Sequence, residues 1–217
     1  MTAPSDGKFG TSVAVFGESV AVGAPDFSSA DSTVLSGAVF IYVDNRWDES
    51  VVLSPTDLTS DAFFGYNLAM NADTLAVSAI DSHGGGVVYL YKRRAGGWDL
   101  AALLSPSASL GVHTLSYFGE SIALVPSIAS SQSSQRAMPD CSNPCDFSAC
   151  PATVVVMGAP GDDSISELSG ALYLYLLPSV TCSHYGAEQI HSLAMKITCN
   201  DSTAYTAYGE SVAAGTH

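Results

Sequence analysis

Five cysteines, five histidines and an excess of acidic side chains are the groups to weigh first in this 217-residue chain. Cys141, Cys145 and Cys150 lie close together, Cys182 follows, and Cys199 stands apart. Zinc held by these thiolates with Cys182 or His184 would need a tetrahedral donor set, but the run contains no Cys-x-x-Cys knuckle. Two disulfides among Cys141, Cys145, Cys150 and Cys182, in any of three connectivities, are the better reading. Each would restrict the unfolded chain and stabilise the fold by about 2–4 kcal/mol, and they point to an oxidising compartment. Asn200-Asp201-Ser202 is a candidate glycosylation sequon that agrees with such a compartment. His83, His113, His184, His191 and His217 fall in no Gly-x-Ser-x-Gly or His-Glu-x-x-His setting. Gly84-Gly85-Gly86 leads into a strand rather than a helix, so it reads as a loose turn and not as a phosphate cradle. No catalytic residue, metal site or cofactor is assigned, and the chain is not expected to be an enzyme.

The formal net charge of −14 excludes nucleic acid as an expected partner. With 47% hydrophobic and only 13% charged residues, the chain has the material for a sizeable core. Its longest uninterrupted apolar stretch, Ala171 to Leu177, is far shorter than the roughly 18–20 residues of a membrane-spanning helix. Residues 1–8 hold no basic segment followed by an apolar run, so a secretory leader is not expected there. Either the chain is cytosolic or it begins part-way through a longer protein.

What must position these groups is a repeat. Aromatic-Gly-x-[Ser/Asn]-[Val/Leu/Ile]-Ala occurs at Phe9–Ala14, Phe64–Ala69, Phe118–Ala123 and Tyr208–Ala213. A second block follows as Val22-Gly23-Ala24-Pro25, Val77-Ser78-Ala79-Ile80 and Met157-Gly158-Ala159-Pro160. A third reads Gly37-Ala38-Val39-Phe40-Ile41-Tyr42, Gly86-Val87-Val88-Tyr89-Leu90-Tyr91 and Gly170-Ala171-Leu172-Tyr173-Leu174-Tyr175. A fourth runs from Trp47 to Pro55, from Trp98 to Pro106 and, degenerate, from about His191 to Cys199. Each block is a short β-branched and aromatic run bounded by turn residues, and the shortest links demand antiparallel hairpins. Four strands, A to D, in each repeat of roughly 54 residues make a propeller blade. The fold class is therefore all-β, a partial β-propeller of three four-stranded antiparallel blades plus the first strand of a fourth. The divisions are 1–8 for the end of a preceding blade, 9–57, 58–108 and 109–201 for the three blades, and 202–217 for the start of a fourth. The third blade carries a cysteine-containing insertion at 125–152.

Phe-Gly opening strand A and Gly-Ala-Pro closing strand B resemble the FG-GAP repeat, the unit of integrin α-subunit-like β-propellers. That resemblance implies a usually seven-bladed ring serving adhesion or ligand binding outside the cell, and it does not imply an enzyme. Three blades and a strand cannot close a ring, so a piece of a longer propeller is expected, with self-assembly into a ring as the alternative. The resemblance would also place calcium in Asp-x-Asp-x-Asp-Gly loops of the A–B hairpins, supplying its six to eight oxygens. No such loop is seen: Phe16-Gly17-Glu18-Ser19 and Asn71-Ala72-Asp73-Thr74 hold one carboxylate each. The expected localisation is extracellular or cell-surface, and the partners are a protein or glycan ligand and the remaining blades of the parent. A hydrolase with its catalytic domain outside this chain and a sugar-binding lectin-like propeller are the rival readings. The ligand face is placed on the B–C and D–A connections, at Asp26, Asp31, Asp57, Asp61, Asp81, His83, Asp162 and Asp163, an acidic rim able to attract a basic partner or a cation. Lys92, Arg93 and Arg94 are expected in the opposite connections.

Overall fold

Runs such as Ser19–Ala24 and Thr74–Ala79 show no alternation of apolar and polar residues, and the reason is that both faces of these strands are covered. The computed structural model describes residues 7–28, 35–43, 46, 50–58, 60–106, 116–126, 152–178, 193–198 and 207–213. Among them are three four-stranded antiparallel sheets, each an up-and-down meander in chain order. The first holds β1 (Ser12–Phe16), β2 (Ser19–Ala24), β3 (Ala38–Val43) and β4 (Val51–Leu53). The second holds β5 (Phe64–Met70), β6 (Thr74–Ala79), β7 (Val87–Arg94) and β8 (Gly97–Leu104). The third holds β9 (Ser121–Pro126), β10 (Ala152–Ala159), β11 (Ala171–Pro178) and β12 (Leu193–Thr198). The described residues contain no α-helix, and the Gly84 region forms one 3-10 turn, Ser82–Gly84, instead of a loose turn.

Short hairpins set the registers. Phe16 pairs with Ser19, leaving Gly17-Glu18 as a two-residue turn with Gly17 at φ 57°. In the second sheet the Asn71 side chain accepts the backbone N–H of Asp73 and Thr74, closing the turn without a glycine.

The core lies between sheets. Val39 and Ile41 of the first sheet pack with Phe64, Leu68, Val77 and Tyr89 of the second. On the other side, Val88, Leu90 and Leu104 pack with Phe118, Ile122, Met157 and Tyr173 of the third. Each aromatic that opens a repeat stands edge-on to the third strand of its own sheet: Phe64 on Tyr89 at 5.2 Å and Phe118 on Tyr173 at 5.2 Å. The stack is open at its first member. Leu68 and Ile122 are buried by the preceding sheet, whereas Val13, at the same place in β1, is 56% exposed.

Two hydrogen-bond devices repeat across the seams between neighbours. The Ser or Asn of the opening motif reaches forward to the next repeat's backbone: Ser12 Oγ donates to the Gly65 carbonyl (2.7 Å), Asn67 Nδ2 to that of Glu120 (2.9 Å) and Ser121 Oγ to that of Gly209 (2.9 Å). The opening aromatic reaches back, its N–H donating to a carbonyl just before the third strand: Phe64 to Ser36, Phe118 to Gly85 and Tyr208 to Ser169. Gly37, Gly86 and Gly170, at φ 91°, 92° and 77°, sit at this crossing, where a Cβ would strike the next aromatic's carbonyl.

The expected first strand of a fourth blade is not formed among the described residues. Residues 207–213 dock through the Tyr208 clasp and a single bridge to Gly170. An opening strand takes its ladder from the second strand of its own sheet, as β1 does from β2 and β9 from β10. Of the fourth block of the first sheet, β4 covers Val51–Leu53, and residues 47–49 lie outside the described residues.

Candidate binding face

The opening motif is a turn before it is a strand. In Lys8-Phe9-Gly10-Thr11, Phe63-Phe64-Gly65-Tyr66, Tyr117-Phe118-Gly119-Glu120 and Ala207-Tyr208-Gly209-Glu210, the fourth N–H donates to the first carbonyl at 3.0–3.2 Å. The glycines lie at φ 94°, 89°, 88° and 94°, the third-residue geometry that only glycine enters cheaply. The residue opening each turn is also left-handed, at φ 52°, 55°, 51° and 48°. For a non-glycine residue that costs about 1 kcal/mol or more, and the seam hydrogen bonds on the following aromatic offset it.

This geometry holds the fourth residue at one end of the sheets, beside the B–C and D–A connections, where Thr11, Tyr66, Glu120 and Glu210 stand in equivalent places. Between the third sheet and residues 207–213 lies a cleft of about 260 Å³, lined by Tyr117, Glu120, Pro160, Leu168 and Glu210 among others. Burial and then the Glu210 carboxylate hold the Glu120 carboxyl above the ordinary glutamate value.

The acids expected on this face divide by their surroundings. Asp57, Asp61 and Asp81 are exposed. Asp57 accepts the Tyr89 hydroxyl (3.3 Å), and Asp61 accepts that of Ser60 (3.0 Å). Burial, then the charge of Asp57, pushes the Tyr89 phenol up to about 12. Asp26 pairs with Lys8 at 2.7 Å, and Asp163 is half-buried. Asp31 and the His83 side chain lie outside the described residues, as do Cys141, Cys145, Cys150, Cys182 and Asn200.

Asp162 is wholly buried. It accepts the Tyr173 hydroxyl (2.5 Å) and the Ser164 N–H (3.0 Å), and pairs with Lys196 at 2.9 Å. Burial alone would raise its carboxyl, but bonds from Ser164, Tyr173 and Lys196 outweigh it, so the group sits below the ordinary aspartate value. The equivalent places explain the residue. Phe27 meets Phe40 ring to edge at 5.3 Å, Ser82 hydrogen-bonds Tyr89, and Asp162 hydrogen-bonds Tyr173. Where the third strand carries a hydroxyl, its partner is polar; where it carries Phe40, its partner is apolar.

The basic run is a strand end and not a free connection. Lys92 is buried against Thr74 (2.7 Å) and Asp73 (3.1 Å). Arg93 reaches across the first seam to Ser19 Oγ (2.5 Å) and lies 4.8 Å from the Trp98 ring. Arg94 alone of the three is exposed.

Sequence reasoning missed Tyr117, Glu120 and Glu210. For Glu120 and Glu210 the signal was present in the unconstrained third place of the opening motif, and Tyr117 stands just before that motif. Among the described residues no group of three or more His, Cys, Asp or Glu could hold a metal ion, and no helix is long and apolar enough to cross a membrane.

A search of curated proteins finds no match to the chain. The FG-GAP repeat family model matches residues 47–91, a span that includes β4 of the first sheet, β5 and β6 of the second and the first part of β7. The aromatic-Gly turn at Phe63–Tyr66 and the positive-φ Gly86 before β7 lie inside that match, and the chain carries an FG-GAP repeat over these residues.

Proposed function

We propose that this chain is a non-catalytic recognition module whose sheets are blades of a β-propeller, part of an extracellular or cell-surface protein that binds a protein or glycan ligand. The observation that carries this reading is the division of labour in the opening turn. Phe or Tyr, Gly and Ser or Asn are spent on packing and on the seam, while the residue between them is Thr11, Tyr66, Glu120 or Glu210, displayed at one end. A constant scaffold that presents varied side chains on one face suits recognition better than catalysis. The exposed carboxylates Asp57, Asp61 and Asp81 at the same end give it a negative rim that favours a basic surface on the partner. The remaining blades of the parent complete the stack at the bare face of β1. No cofactor is assigned to the chain.

The test replaces Asp26, Asp57, Asp61 and Asp81 by Asn together and measures binding to an array of glycans and immobilised ectodomains at low and high salt. Binding by the parent chain that weakens with salt, and is reduced in the variant, is the expected result. Retained binding that is lost instead on Arg94→Ala would place the ligand at the other end and refute the assignment.

A further inference from the structure

The first seam is packed at its inner strands and open at its outer ones. Paired residues of a ladder share a face. Leu103 and Leu100 stand opposite Tyr89 and Tyr91, and Val51 opposite Ile41, so all three face the neighbouring sheet across this seam. Tyr89, Tyr91 and Ile41 are buried, yet Leu103, Leu100 and Val51, one strand further out, are 38%, 51% and 47% exposed. A bulge opposite Leu90 and Tyr91 is what puts the two leucines, three positions apart, on one side of β8. The second seam has no such opening in β8: Ala102 and Leu104, which face the third sheet, are buried, and the Tyr175 hydroxyl donates to the Ser105 carbonyl at 2.9 Å.

Arg93 stands at the end of this apolar strip that lies away from the acidic rim. Its partner in the ladder is Trp98, and its guanidinium lies over that ring and reaches the Ser19 hydroxyl of the first sheet. Neighbouring Lys92 has the Asp73 carboxylate, whereas among the described residues no carboxylate pairs with Arg93, and its buried Nε–H has no acceptor. A half-buried guanidinium answered only by a neutral hydroxyl and an indole has its charge left for an incoming anion. An extended chain laid along β8 meets Arg93, then Leu100, then Leu103, at successive two-residue steps of a strand. We propose that this strip is a second docking surface, which does not depend on the rim, and that it takes an extended segment of a protein partner. In that segment an acidic residue meets Arg93, and apolar side chains two and four positions away cover Leu100, Leu103 and Val51. A second copy of the chain is the wrong occupant, because molecules each carrying a formal charge of −14 repel.

Trp98 reports on the strip directly, and as one of two tryptophans it is isolated by Trp47→Phe. The probes are the capped peptide Glu-Thr-Leu-Thr-Leu and its reversed sequence, each titrated to millimolar concentration against Trp98 fluorescence. One of the two directions is expected to bind, and exchanging its Glu for Gln should weaken it by about three- to tenfold, between an exposed ion pair and a charged hydrogen bond. That comparison is made on the unaltered surface, so it does not depend on a variant that folds. Arg93→Gln should remove the difference between the Glu and Gln peptides. Leu100→Thr with Leu103→Thr, at exposed places, should weaken both by about tenfold while the melting curve stays where it was. Equal binding of the Glu and Gln peptides, binding that survives the double leucine variant, or no response of Trp98 to either direction would each overturn the proposal. Saturation by decanoate where neither peptide binds would also overturn it, by showing an amphiphile site instead. Any of these failures leaves the rim assignment standing, since Asp26, Asp61 and Asp81 lie at the other end of the sheets.

Discussion

Gly23 is where the first seam is tightest, and it offers the sharpest test of how neighbouring repeats fit. A Cβ there would run into the Gly65 carbonyl and the Ser12 hydroxyl, the two groups joined by the first seam bond. Gly158 stands in the same relation to Gly209 and Ser121. The second sheet nevertheless carries Ser78 at this place, and there the opening motif has Asn67 in place of serine. Asn67 gives its N–H to Ser78 Oγ (2.9 Å) and uses its longer side chain to reach the Glu120 carbonyl, one residue beyond the glycine. The two positions are therefore a matched pair, and a mismatch should be costly. Gly23→Ser alone loses one hydrogen bond, about 1 kcal/mol, and overpacks a backbone contact, about 1–3 kcal/mol. The total of about 2–4 kcal/mol corresponds to a fall in Tm of roughly 4–16 °C for a chain of this size. Adding Ser12→Asn recreates the pair of the second sheet, its longer amide side chain placed to reach the Tyr66 carbonyl. A double-mutant cycle by thermal melting should show a favourable coupling of about 1 kcal/mol or more. Additive losses, or a Gly23→Ser variant as stable as the parent, would show that the seam does not depend on this pairing.

Removing the Asp162 carboxylate by Asp162→Ala strands Lys196 and the Tyr173 hydroxyl, and denaturant titration should find a loss of about 3–5 kcal/mol. Arg93→Ala should cost about 1–2 kcal/mol through its Ser19 bond and its place over Trp98, while exposed Arg94→Ala should change stability by less than about 0.5 kcal/mol. Stability should respond to pH in two opposed windows. Glu120 is raised in the fold, so its penalty is fully present at neutral pH and is relieved as pH falls through that raised value towards the unfolded value of about 4.3. Asp162 is lowered, so its contribution is present above the unfolded value of about 3.9 and is lost as pH falls through its folded value below that. Glu120→Gln should abolish the upper change alone, and a pH series of melts that shows the same slope in parent and variant would refute the assignment.

The strands were legible because their blocks recur, and recurrence survives even where single residues are ambiguous. The sheet order followed from the short links, since Gly17-Glu18 and Asn71-Ala72-Asp73 leave no room for anything but a hairpin. Asp162 shows what a linear reading misses. Its place among turn residues suggests a surface carboxylate, but whether it faces water depends on Tyr173, eleven residues on, and on Lys196, in another strand. Lys92 and Arg93 mislead in the same way, because a run of bases looks solvated until its neighbours Thr74 and Ser19 are known. Glu120 and Glu210 were invisible as a pair because 90 residues separate them, and only the repeated turn brings them to one cleft.

The meander order of each sheet also bears on how the chain acquires its structure during synthesis. Every ladder among the described residues joins strands that are consecutive in sequence, and the forward-reaching bonds of Ser12 and Asn67 at the first two seams each span about one repeat, 53 residues. Contacts of this kind keep loop-closure entropy low and favour rapid folding. The first sheet can therefore assemble on the ribosome as soon as β4 has emerged, and it then presents the Ser36 carbonyl as a waiting acceptor for Phe64. Growth by one sheet at a time covers each freshly made apolar face with the next stretch of the same chain, which shortens the interval in which that face can aggregate.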